Sequence, residues 1–484
     1  MTFVRCLALA SLLALAAPAL ADVSISVDPV RVIGKWDGWG CSLCWWANQF
    51  GARDDLADAL FTLKTVHLTT DAGSYDLPGL GMNIARYNIG GSGDTPGGQE
   101  RMPAYKRIQG FWRDPDSGDP ASASFDWDMD ANQRAMLRKA RARGANRIEA
   151  FSNSPMWWMC ANGSAAGGEE GKDNLLPAKR AQFARYLALV ARRAHDQWNV
   201  DFETVEPFNE PSAWWWRYPG GQEGCFVGRE AQAEVIKALR RELDAQGLRS
   251  VGIAASDENS PDAAVDTWNA LDASARAQVA RVNVHNYNGQ AAYRGPGRAR
   301  LHAAVSAAGK PLWMTECGEA DGAGRTMAQS IALDINQMRV SAWAYWQPLD
   351  SGGWGLIQSN PGDNWIGPPN ARYYVLAQFS RHIRPGMEIL NAGDPNTVAA
   401  WDPAARKLVL VTANLGAAQW LNCSLAGFQA GTGHVTRWTT GMADQGARYA
   451  RSTDLAIRDG GVRAQMPANS VQTIEVAGIS PARG

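Results

Sequence analysis

The stretch PAKRAQFARYLALVARRAHDQW (residues 177–198), followed after a short connection by TVEPFNEP (residues 204–211), contains the repeating unit that decides the fold. In the first part, Phe183, Tyr186 and Val190 recur at spacings of three and four residues with basic residues between them, as in a half-buried α-helix. The second part begins as a short apolar run, which is typical of a buried β-strand, and ends in polar residues. A helix followed by such a strand predicts one unit of a parallel α/β sheet.

The same alternation of apolar runs and amphipathic stretches continues from about residue 35 to residue 365. Eight runs have strand character: Trp36–Leu43, Asn83–Asn88, Ile148–Asn153, Phe202–Phe208, Val251–Ser256, Val282–Tyr287, Leu312–Glu316 and Ala342–Gln347. Eight strand–helix units in roughly 320 residues fit a closed (β/α)8 barrel better than an open doubly wound sheet. The open sheet is further disfavoured because no glycine-rich dinucleotide motif follows the first strand. We therefore predict an α/β fold with a TIM barrel over residues 36–371.

The pattern changes after residue 371. Short β-type runs separated by Gly, Asp, Asn and Pro follow, with little helix between them: Val398–Trp401, Leu408–Ala413, His434–Thr439 and Val471–Val476. This composition predicts a small antiparallel β-sandwich over residues 372–484. Residues 22–35 include the alternating run VSISVDPVRVI (23–33), which is typical of a strand. Since this run precedes the barrel, we predict that it joins the C-terminal sandwich.

Residues 1–21 are expected to be a signal peptide. Arg5 precedes the apolar run Cys6–Ala17, and Ala19-Leu-Ala21 forms an A-x-A site with predicted cleavage after Ala21. The expected location is therefore secreted or periplasmic, an environment that permits disulfides. One or two disulfides are expected among four cysteines: Cys41, Cys44, Cys160 and Cys225. The six histidines do not occur at metal-ligand spacing, which argues against a zinc site.

The charge balance narrows the classes of partner. The 484 residues include 47 Lys or Arg and 48 Asp or Glu, a formal net charge of -1, which argues against nucleic acid or an anionic membrane surface as partners. The 21 tryptophans are the unusual feature, and 18 of them lie at or before Trp365. Many lie near predicted strand ends, where they would form a groove for stacking flat ligands: Trp39, Trp45, Trp46, Trp157, Trp158, Trp214–Trp216, Trp346 and Trp354.

Two glutamates occupy the strand ends at which barrel enzymes place catalytic groups. Glu210 follows the fourth predicted strand, and Glu316 ends the seventh. Hydrolysis of a glycosidic bond needs one carboxylic acid to protonate the leaving oxygen and one carboxylate to attack or to activate water. Strands facing each other across a barrel mouth can hold the two about 5–5.5 Å apart, as a retaining mechanism requires. A charged residue at the end of a buried strand is energetically costly, and a catalytic role in glycoside hydrolysis would explain why glutamates lie there.

Seven segments carry a resemblance to a known family: Gly38–Ala47 (GWGCSLCWWA), Asn83–Ser92 (NIARYNIGGS), Phe151–Met159 (FSNSPMWWM), Glu206–Pro211 (EPFNEP), Trp343–Gln347 (WAYWQ), Gly353–Ile357 (GWGLI) and Tyr373–Gly386 (YYVLAQFSRHIRPG). Together, and in this order, they resemble glycoside hydrolase family 30, most closely its subfamily 5, the endo-β-1,6-galactanases. The resemblance implies a (β/α)8 barrel with a side β-sandwich formed by both chain ends. It also implies hydrolysis with retention of anomeric configuration, with no cofactor and no metal.

By the same resemblance, Glu210 is similar to the general acid/base and Glu316 to the nucleophile. The physical requirements agree, because Glu210 must be protonated, which burial beside Trp214–Trp216 would favour. Glu316 must stay ionised, and Arg86 at the end of the second strand is the natural counter-charge. Further substrate-contacting positions are then expected at Asn153, Asn209, Tyr287 and Trp346, with Trp39, Trp158 and Trp214 as stacking surfaces. Of these, Tyr287 is similar to the residue that hydrogen-bonds the nucleophile, and Asn209 to the amide that holds the sugar 2-hydroxyl.

Several alternatives remain open at the level of sequence. Asp257 and Glu258 end the fifth predicted strand and could either bind sugar hydroxyls or cap a loop. Because specificity lies in loops, the same mechanism could act on β-1,6-glucan, xylan or a glucosylceramide-like substrate. A non-catalytic carbohydrate-binding protein is disfavoured because both carboxylates are present. The expected partner is a polysaccharide or oligosaccharide, and the chain is expected to act as a monomer.

Overall fold

The computed structural model describes residues 22–93, 102–287, 296–429, 433–443 and 446–482. The signal peptide expected for residues 1–21 lies outside the described residues. Within the described ranges, no helix combines the length and apolar character needed to cross a membrane.

Eight parallel strands close into a barrel, which confirms the predicted fold class. They are named the first to eighth barrel strands: Gly38–Ser42, Ile84–Asn88, Arg147–Phe151, Thr204–Glu206, Gly252–Glu258, Val279–His285, Leu312–Glu316 and Ala342–Tyr345. The eighth strand pairs with the first, Ala342 opposite Gly38, and this pairing closes the sheet. Parallel neighbours need a crossover connection between them, which explains the strand–helix alternation in the sequence.

Helices pack around the barrel and bury one face each. The described α-helices are Trp46–Phe50, Asp54–Phe61, Ala131–Ala142, Arg180–Arg193, Arg229–Ala245, Pro261–Ala270, Ala273–Gln278, Gly297–Ala307, Arg325–Leu333 and Ala371–Ser380. Short 3₁₀ or π turns lie at Ala104–Lys106, Trp157–Met159, Pro177–Lys179, Ala194–Trp198, Asp334–Met338 and Pro361–Asp363. Helix Arg180–Arg193 buries Phe183, Tyr186 and Val190, as its periodicity predicts. Asp272 caps helix Ala273–Gln278 by accepting the backbone N–H of Ala275.

The side chains inside the barrel change from apolar at the bottom to charged at the mouth. The bottom is closed by an apolar cluster of Ile84, Trp313 and Ala342. Above this cluster, the Arg281 guanidinium contacts the Glu149 carboxylate, which also lies 2.9 Å from Arg86. A buried charge is costly unless it is paired, so Arg281, Glu149 and Arg86 stabilise one another in the barrel interior. The barrel interior is therefore a column of ion pairs that leads up to the barrel mouth.

Both chain regions outside the barrel form a two-sheet sandwich. Its larger sheet contains, in spatial order, Val32–Lys35, Glu388–Leu390, Thr397–Asp402, Lys407–Asn414, Ser470–Ala477, His434–Gly441 and Ala450–Ser452, and its smaller sheet contains Asp22–Ser26, Gln419–Ser424 and Gly461–Met466. Asp22–Ser26 pairs in parallel with Gln419–Ser424, and Val32–Lys35 pairs antiparallel with Glu388–Leu390. The prediction that the N-terminal run joins the C-terminal sandwich is thus confirmed.

Alternating side chains of the larger sheet serve two separate cores. In strand Lys407–Asn414, Leu408 and Leu410 pack inside the sandwich, whereas Val409 and Val411 pack in the apolar core that surrounds the barrel. This is the period-two alternation of a strand that is covered on both faces. Smaller strands complete the fold: Thr65–Thr70 with Gly73–Pro78, Leu349–Asp350 with Ile357–Asn360 and Trp365–Pro369, and Phe428–Gln429 with Ser480–Pro481.

The cysteines of the described chain are buried free thiols, so the expected disulfides among Cys41, Cys44, Cys160 and Cys225 are wrong for this structure. Cys41 lies within the first barrel strand and packs in the core around the barrel. Cys44 instead packs with Trp45 and Trp346 in a separate cluster near the barrel mouth. The two CxxC sulfurs therefore lie in different packing environments, which explains why the short spacing does not produce a bridge.

Candidate active site

A cavity of about 500 Å³ opens at the carboxyl ends of the barrel strands. Its lining residues are Trp45, Tyr105, Lys106, Asn153, Asn209, Glu210, Trp215, Gln222, Asn259, Tyr287, Glu316, Trp346, Asp350, Ser351 and Trp354. Nine of the residues predicted from the sequence are among them: Trp45, Asn153, Asn209, Glu210, Trp215, Tyr287, Glu316, Trp346 and Trp354. The cavity is called the cleft below.

The two predicted catalytic glutamates face each other in this cleft. Glu316 is the last residue of the seventh barrel strand. Glu210 follows the fourth strand in a left-handed backbone conformation (φ 47°), and its N–H donates to the carbonyl of Asp257 at 2.8 Å. One carboxylate oxygen of Glu210 lies within 4.8 Å of one of Glu316. This separation matches the roughly 5–5.5 Å of a retaining pair and is too short for the 6.5–9.5 Å of an inverting pair.

Arg86 contacts Glu316, the predicted nucleophile. Its fully buried guanidinium lies 3.1 Å from Glu316, 2.6 Å from Asp257 and 2.9 Å from Glu149. Burial lowers the pKa of Arg86, but the carboxylates of Asp257 and Glu149 outweigh this effect and raise it overall. The side chain is therefore a permanent cation. It stabilises an ionised Glu316 at the point where the sequence predicts a counter-charge.

His285, at the end of the sixth strand, links three carboxylates. Its Nδ1 lies 3.1 Å from Glu210 Oε1 and 3.5 Å from Glu316 Oε1, and its Nε2 lies 3.0 Å from Asp257 Oδ2. Burial alone would lower the pKa of His285, but Asp257 and Glu316 raise it well above the ordinary value. The imidazole is therefore a second buried cation, and it reaches both catalytic glutamates.

The surroundings of Glu316 act on its ionisation in two opposite directions. Burial raises the pKa of Glu316 to about 7, while His285 and Arg86 act in the opposite direction. The nearby carboxylates of Asp257 and Glu210 add to the effect of burial, because negative charges this close to Glu316 disfavour its ionised form. Glu316 accepts hydrogen bonds from Arg86 Nη1 at 3.1 Å and from the Tyr287 hydroxyl at 3.0 Å. Both donors stabilise the ionised form of Glu316.

The spacing of Glu210, His285 and Glu316 would also allow the three side chains to ligate a metal ion. A histidine must be neutral to bind a metal, whereas the carboxylates around His285 keep it protonated. Arg86 additionally places a fixed positive charge against Glu316. The cluster therefore suits acid–base and nucleophilic chemistry better than metal binding.

Two amides and several aromatic rings shape the cleft around the pair. The Oδ1 atom of Asn209 is buried and has no hydrogen-bond partner among the described residues, so it is free to accept a bond from a ligand hydroxyl. The backbone N–H of Asn153 donates to Asn88 Oδ1 at 3.1 Å, which fixes this loop. The rings of Trp45 and Trp346 meet edge to face, with centroids 4.8 Å apart. Such surfaces suit the apolar faces of sugar rings.

Six of the predicted tryptophans do not line the cleft: Trp39, Trp46, Trp157, Trp158, Trp214 and Trp216. Trp39 is buried in the core, where its indole N–H donates to the carbonyl of Ile383 at 2.7 Å. Trp158 is buried too, and its indole N–H donates to the carbonyl of Trp112 at 2.8 Å. Trp214 is 59% exposed, and the adjacent Trp215 lines the cleft instead. The physical reason for Trp39 is strand alternation, because Ser42 on the same strand points inward to Arg86.

The two acidic residues of the fifth strand do not line the cleft either. Asp257 points behind it, toward Arg86 and His285. Glu258 accepts the hydroxyls of Ser212 and Thr267, each at 2.6 Å, and so ties a loop to a helix. The loop-capping alternative therefore describes Glu258.

Some residues of the cleft were not predicted from the sequence. Tyr105 and Lys106 lie in a single 3₁₀ turn, Asp350 in a two-residue strand and Gln222 in a loop, and such short segments show no hydrophobic periodicity. His285 had a usable signal, since a histidine at the end of a barrel strand is a candidate for catalysis.

The sequence of this chain matches a known protein family. The family described as O-Glycosyl hydrolase family 30 matches residues 21–294. The chain belongs to glycoside hydrolase family 30. Over 472 residues, this glycoside hydrolase is 43% identical to the "Endo-beta-1,6-galactanase" of Hypocrea rufa, covering 95% of this chain and 96% of that protein. The likeness therefore includes the barrel, the cleft and the sandwich.

Two solved structures support the fold of this family 30 hydrolase. The catalytic domain of GH30 xylanase C from Talaromyces cellulolyticus superposes with a TM-score of 0.69 at 21% identity, covering 94% of this chain and all of that one. A conserved exported protein from Bacteroides fragilis superposes with a TM-score of 0.77 at 19% identity, with the same coverage of this chain and again all of the other. At such identities the likeness concerns the fold alone.

Replacing two tryptophans by alanine, one in each variant, tests which of them lies in the cleft. Trp346→Ala should lower kcat/KM roughly 30-fold, since a ring at the centre of a binding site contributes about 2 kcal/mol. Trp39→Ala should instead lower the free energy of unfolding by about 3–5 kcal/mol, because it empties a core position. Steady-state kinetics and urea unfolding measure the two effects. A Trp39→Ala enzyme that keeps its stability but loses affinity for substrate would contradict this assignment.

Proposed function

We propose that the chain is an exported, retaining endo-β-1,6-galactanase that cleaves β-1,6-galactosidic linkages in arabinogalactan-type side chains. The observation that carries the reaction class is the Glu210–Glu316 pair, with carboxylate oxygens within 4.8 Å of each other and Arg86 beside Glu316. The choice of sugar rests on the 43% identity to the Hypocrea rufa galactanase. We further propose that it acts as a monomer on soluble or wall-bound polysaccharide, without a membrane or nucleic-acid partner.

In the first step, ionised Glu316 attacks the anomeric carbon of the sugar. Glu210 gives its proton to the glycosidic oxygen as the bond to the leaving sugar breaks. The products of this step are the released saccharide, whose new hydroxyl carries the proton from Glu210, and a glycosyl ester on Glu316, and Glu210 is left ionised. The Arg86 guanidinium and the Tyr287 hydroxyl, both within 3.1 Å of Glu316, orient the attacking oxygen.

In the second step, Glu210 acts as a base. It takes a proton from a water molecule, whose oxygen attacks the anomeric carbon and releases Glu316 as a carboxylate. Two inversions at one carbon give net retention, and Glu210 regains the proton for the next cycle. The unpartnered Oδ1 of Asn209, one residue before the acid/base, is placed to accept the sugar 2-hydroxyl, an interaction that strengthens in the transition state.

Product analysis on a defined panel tests the proposal. The enzyme should hydrolyse β-1,6-galacto-oligosaccharides internally, and proton NMR of early products should show the β-anomer before mutarotation. β-1,6-Glucan and xylan of matched length serve as comparison substrates, and Glu316→Gln as the inactive control. Exclusive cleavage of the glucan or the xylan would replace the sugar but keep the mechanism. Initial release of the α-anomer would overturn the mechanism, and binding without cleavage would favour the carbohydrate-binding alternative.

Export is tested separately from catalysis. The enzyme recovered outside the cytoplasm should begin at Asp22, which mass spectrometry of the intact protein can determine. A protein that retains residues 1–21 at its destination would contradict the proposed cleavage after Ala21.

A further inference from the structure

We propose that Asp257 is a positioning residue for both catalytic glutamates, fixing the nucleophile through Arg86 and the acid/base through His285 and its own backbone carbonyl. Asp257 is the penultimate residue of the fifth barrel strand and is fully buried. It does not line the cleft, so it acts on the reaction through other residues. This inference rests on the proposed double-displacement mechanism, but it does not depend on which sugar is cleaved.

On the nucleophile side, Asp257 anchors Arg86. Asp257 Oδ2 accepts a hydrogen bond from Arg86 Nη2 at 2.6 Å, while Arg86 Nη1 reaches Glu316 at 3.1 Å. The planar guanidinium presents its donors in a fixed fork, so holding one nitrogen sets the direction of the other. Glu149 holds Arg86 Nε at 2.9 Å, which completes a three-point support. Without the Asp257 carboxylate, Arg86 Nη2 would lose this acceptor, while Arg86 Nε would remain bonded to Glu149.

On the acid/base side, Asp257 makes two further contacts. Its carbonyl accepts the backbone N–H of Glu210 at 2.8 Å, just where Glu210 adopts its left-handed conformation. Its carboxylate lies 3.0 Å from His285 Nε2, and the other ring nitrogen lies 3.1 Å from Glu210. This charge contact favours the protonated imidazole, whose other ring nitrogen lies against Glu210.

Asp257 itself is rigidly held. Its Oδ1 accepts the Thr315 hydroxyl at 2.6 Å, and its backbone is left-handed with φ 57°. Asparagine is among the residues that tolerate this conformation best, so Asp257→Asn removes the charge without straining the chain. The substitution also keeps one oxygen to accept the Thr315 hydroxyl.

The charge of Asp257 matters because of the ionisable groups that face it: Arg86, Glu149, Glu206, Glu210, His285 and Glu316. Without Asp257, His285 loses the strongest of the attractions that keep it protonated. A neutral His285 no longer stabilises ionised Glu316, which its ring nitrogen approaches to 3.5 Å. Removing the negative charge of Asp257 would by itself make Glu316 easier to ionise. This direct effect is weakened because the Arg86 guanidinium contacts both carboxylates and screens one from the other. Glu316 should therefore ionise at higher pH.

The test is the pH dependence of Asp257→Asn. We expect kcat to fall about 10²-fold, as when a reacting group is displaced by about 1 Å, with a smaller change in KM. The acidic limb of kcat/KM should move to higher pH. In ¹⁵N NMR of the substrate-free protein, His285 should titrate to the neutral form at a lower pH than in the wild type. The matched control is Asp130→Asn, which alters a buried aspartate bonded to Tyr87 and Gln133 outside the cleft and should leave the pH profile unchanged.

Two results would overturn the proposal: an unchanged acidic limb with an unchanged His285 titration, or a loss of kcat no greater than that of Asp130→Asn. If Asp257→Asn does not fold, Thr315→Val is the deciding variant, because it removes the hydroxyl that donates to Asp257 Oδ1 and leaves the charge of Asp257 in place. An unaltered kcat in Thr315→Val would then contradict the proposal, and a 5- to 10-fold loss would support it. The kinetic measurements use whichever β-glycan the wild-type enzyme cleaves, and the NMR measurement needs no substrate. Both tests of Asp257 therefore remain valid if the substrate is not a galactan.

Discussion

Glu316→Ala is expected to lower kcat on β-1,6-galacto-oligosaccharides by about 10⁶-fold while substrate binding persists. The magnitude is that of removing the nucleophile from an enzyme that works through a covalent intermediate. Binding should persist because the side chains that would contact the sugar, such as Asn209 and Trp346, lie on other strands and loops. Steady-state kinetics and isothermal titration calorimetry measure the two quantities. Undiminished turnover would show that Glu316 is not the nucleophile.

Small anions distinguish the roles of the two glutamates. In Glu316→Ala, azide can enter the space left by the carboxylate and attack the activated galactoside directly, which gives a product of inverted configuration. In Glu210→Ala, azide should instead attack the glycosyl ester on Glu316 and give a product of retained configuration. An aryl galactoside with a good leaving group is the substrate for both experiments, since it needs no proton from Glu210 to leave. Exchange of these two stereochemical outcomes would reverse the assigned roles.

Arg86→Met is expected to lower the free energy of unfolding by about 3–5 kcal/mol, the cost of leaving buried charges without their partner. The guanidinium is completely buried and contacts Glu149, Asp257 and Glu316. Methionine fills similar space but supplies no charge, so three carboxylates must share the positive charges of Arg281 and His285. The folded fraction should also lose activity, because Glu316 becomes harder to ionise. Urea unfolding followed by tryptophan fluorescence measures the stability.

Arg298→Met is the matched control for this substitution. Arg298 is equally buried and pairs with Asp334 at 2.7 Å, but both side chains lie outside the cleft. We expect it to cost stability as well and to leave kcat of the folded enzyme unchanged. Wild-type stability in Arg86→Met would mean that the three carboxylates are neutral in the folded protein, and that the ion-pair column does not exist as described.

The residues that could be predicted from the sequence are those tied to regular structure. The eight apolar runs specify eight barrel strands, and two glutamates at strand ends must reach the mouth because parallel strands end at one edge of the barrel. The same reasoning placed Arg86 opposite Glu316. Trp39 shows how the argument can be misapplied, since it lies on a barrel strand but on the face that points outward. Counting its register from Ser42 would have placed it in the core.

The remaining part of the cleft could not be predicted, because it is built by loops and by long-range contacts. Lys106 and Gln222 enter the cleft from short connecting segments whose paths depend on tertiary packing. For Asp257 the sequence left two roles open, binding a sugar hydroxyl or capping a loop, because it lies at the end of the fifth predicted strand. Its direction is set by Thr315 and Arg86, which are distant in sequence. The same limit applies to the cysteines, since spacing alone does not give the direction in which their sulfurs point.

The pairing of Asp22–Ser26 with Gln419–Ser424 has a consequence for the order in which the protein is made. The first strand leaves the ribosome on the order of 400 residues before its partner, and closing so long a loop is entropically unfavourable until other contacts have formed. At about 5–20 residues per second, this interval lasts roughly 20–80 s. The smaller sandwich sheet therefore cannot form until the C-terminal region has been made. A chain released before residue 419 would keep an unpaired N-terminal strand, open to pairing with other chains and to proteolysis.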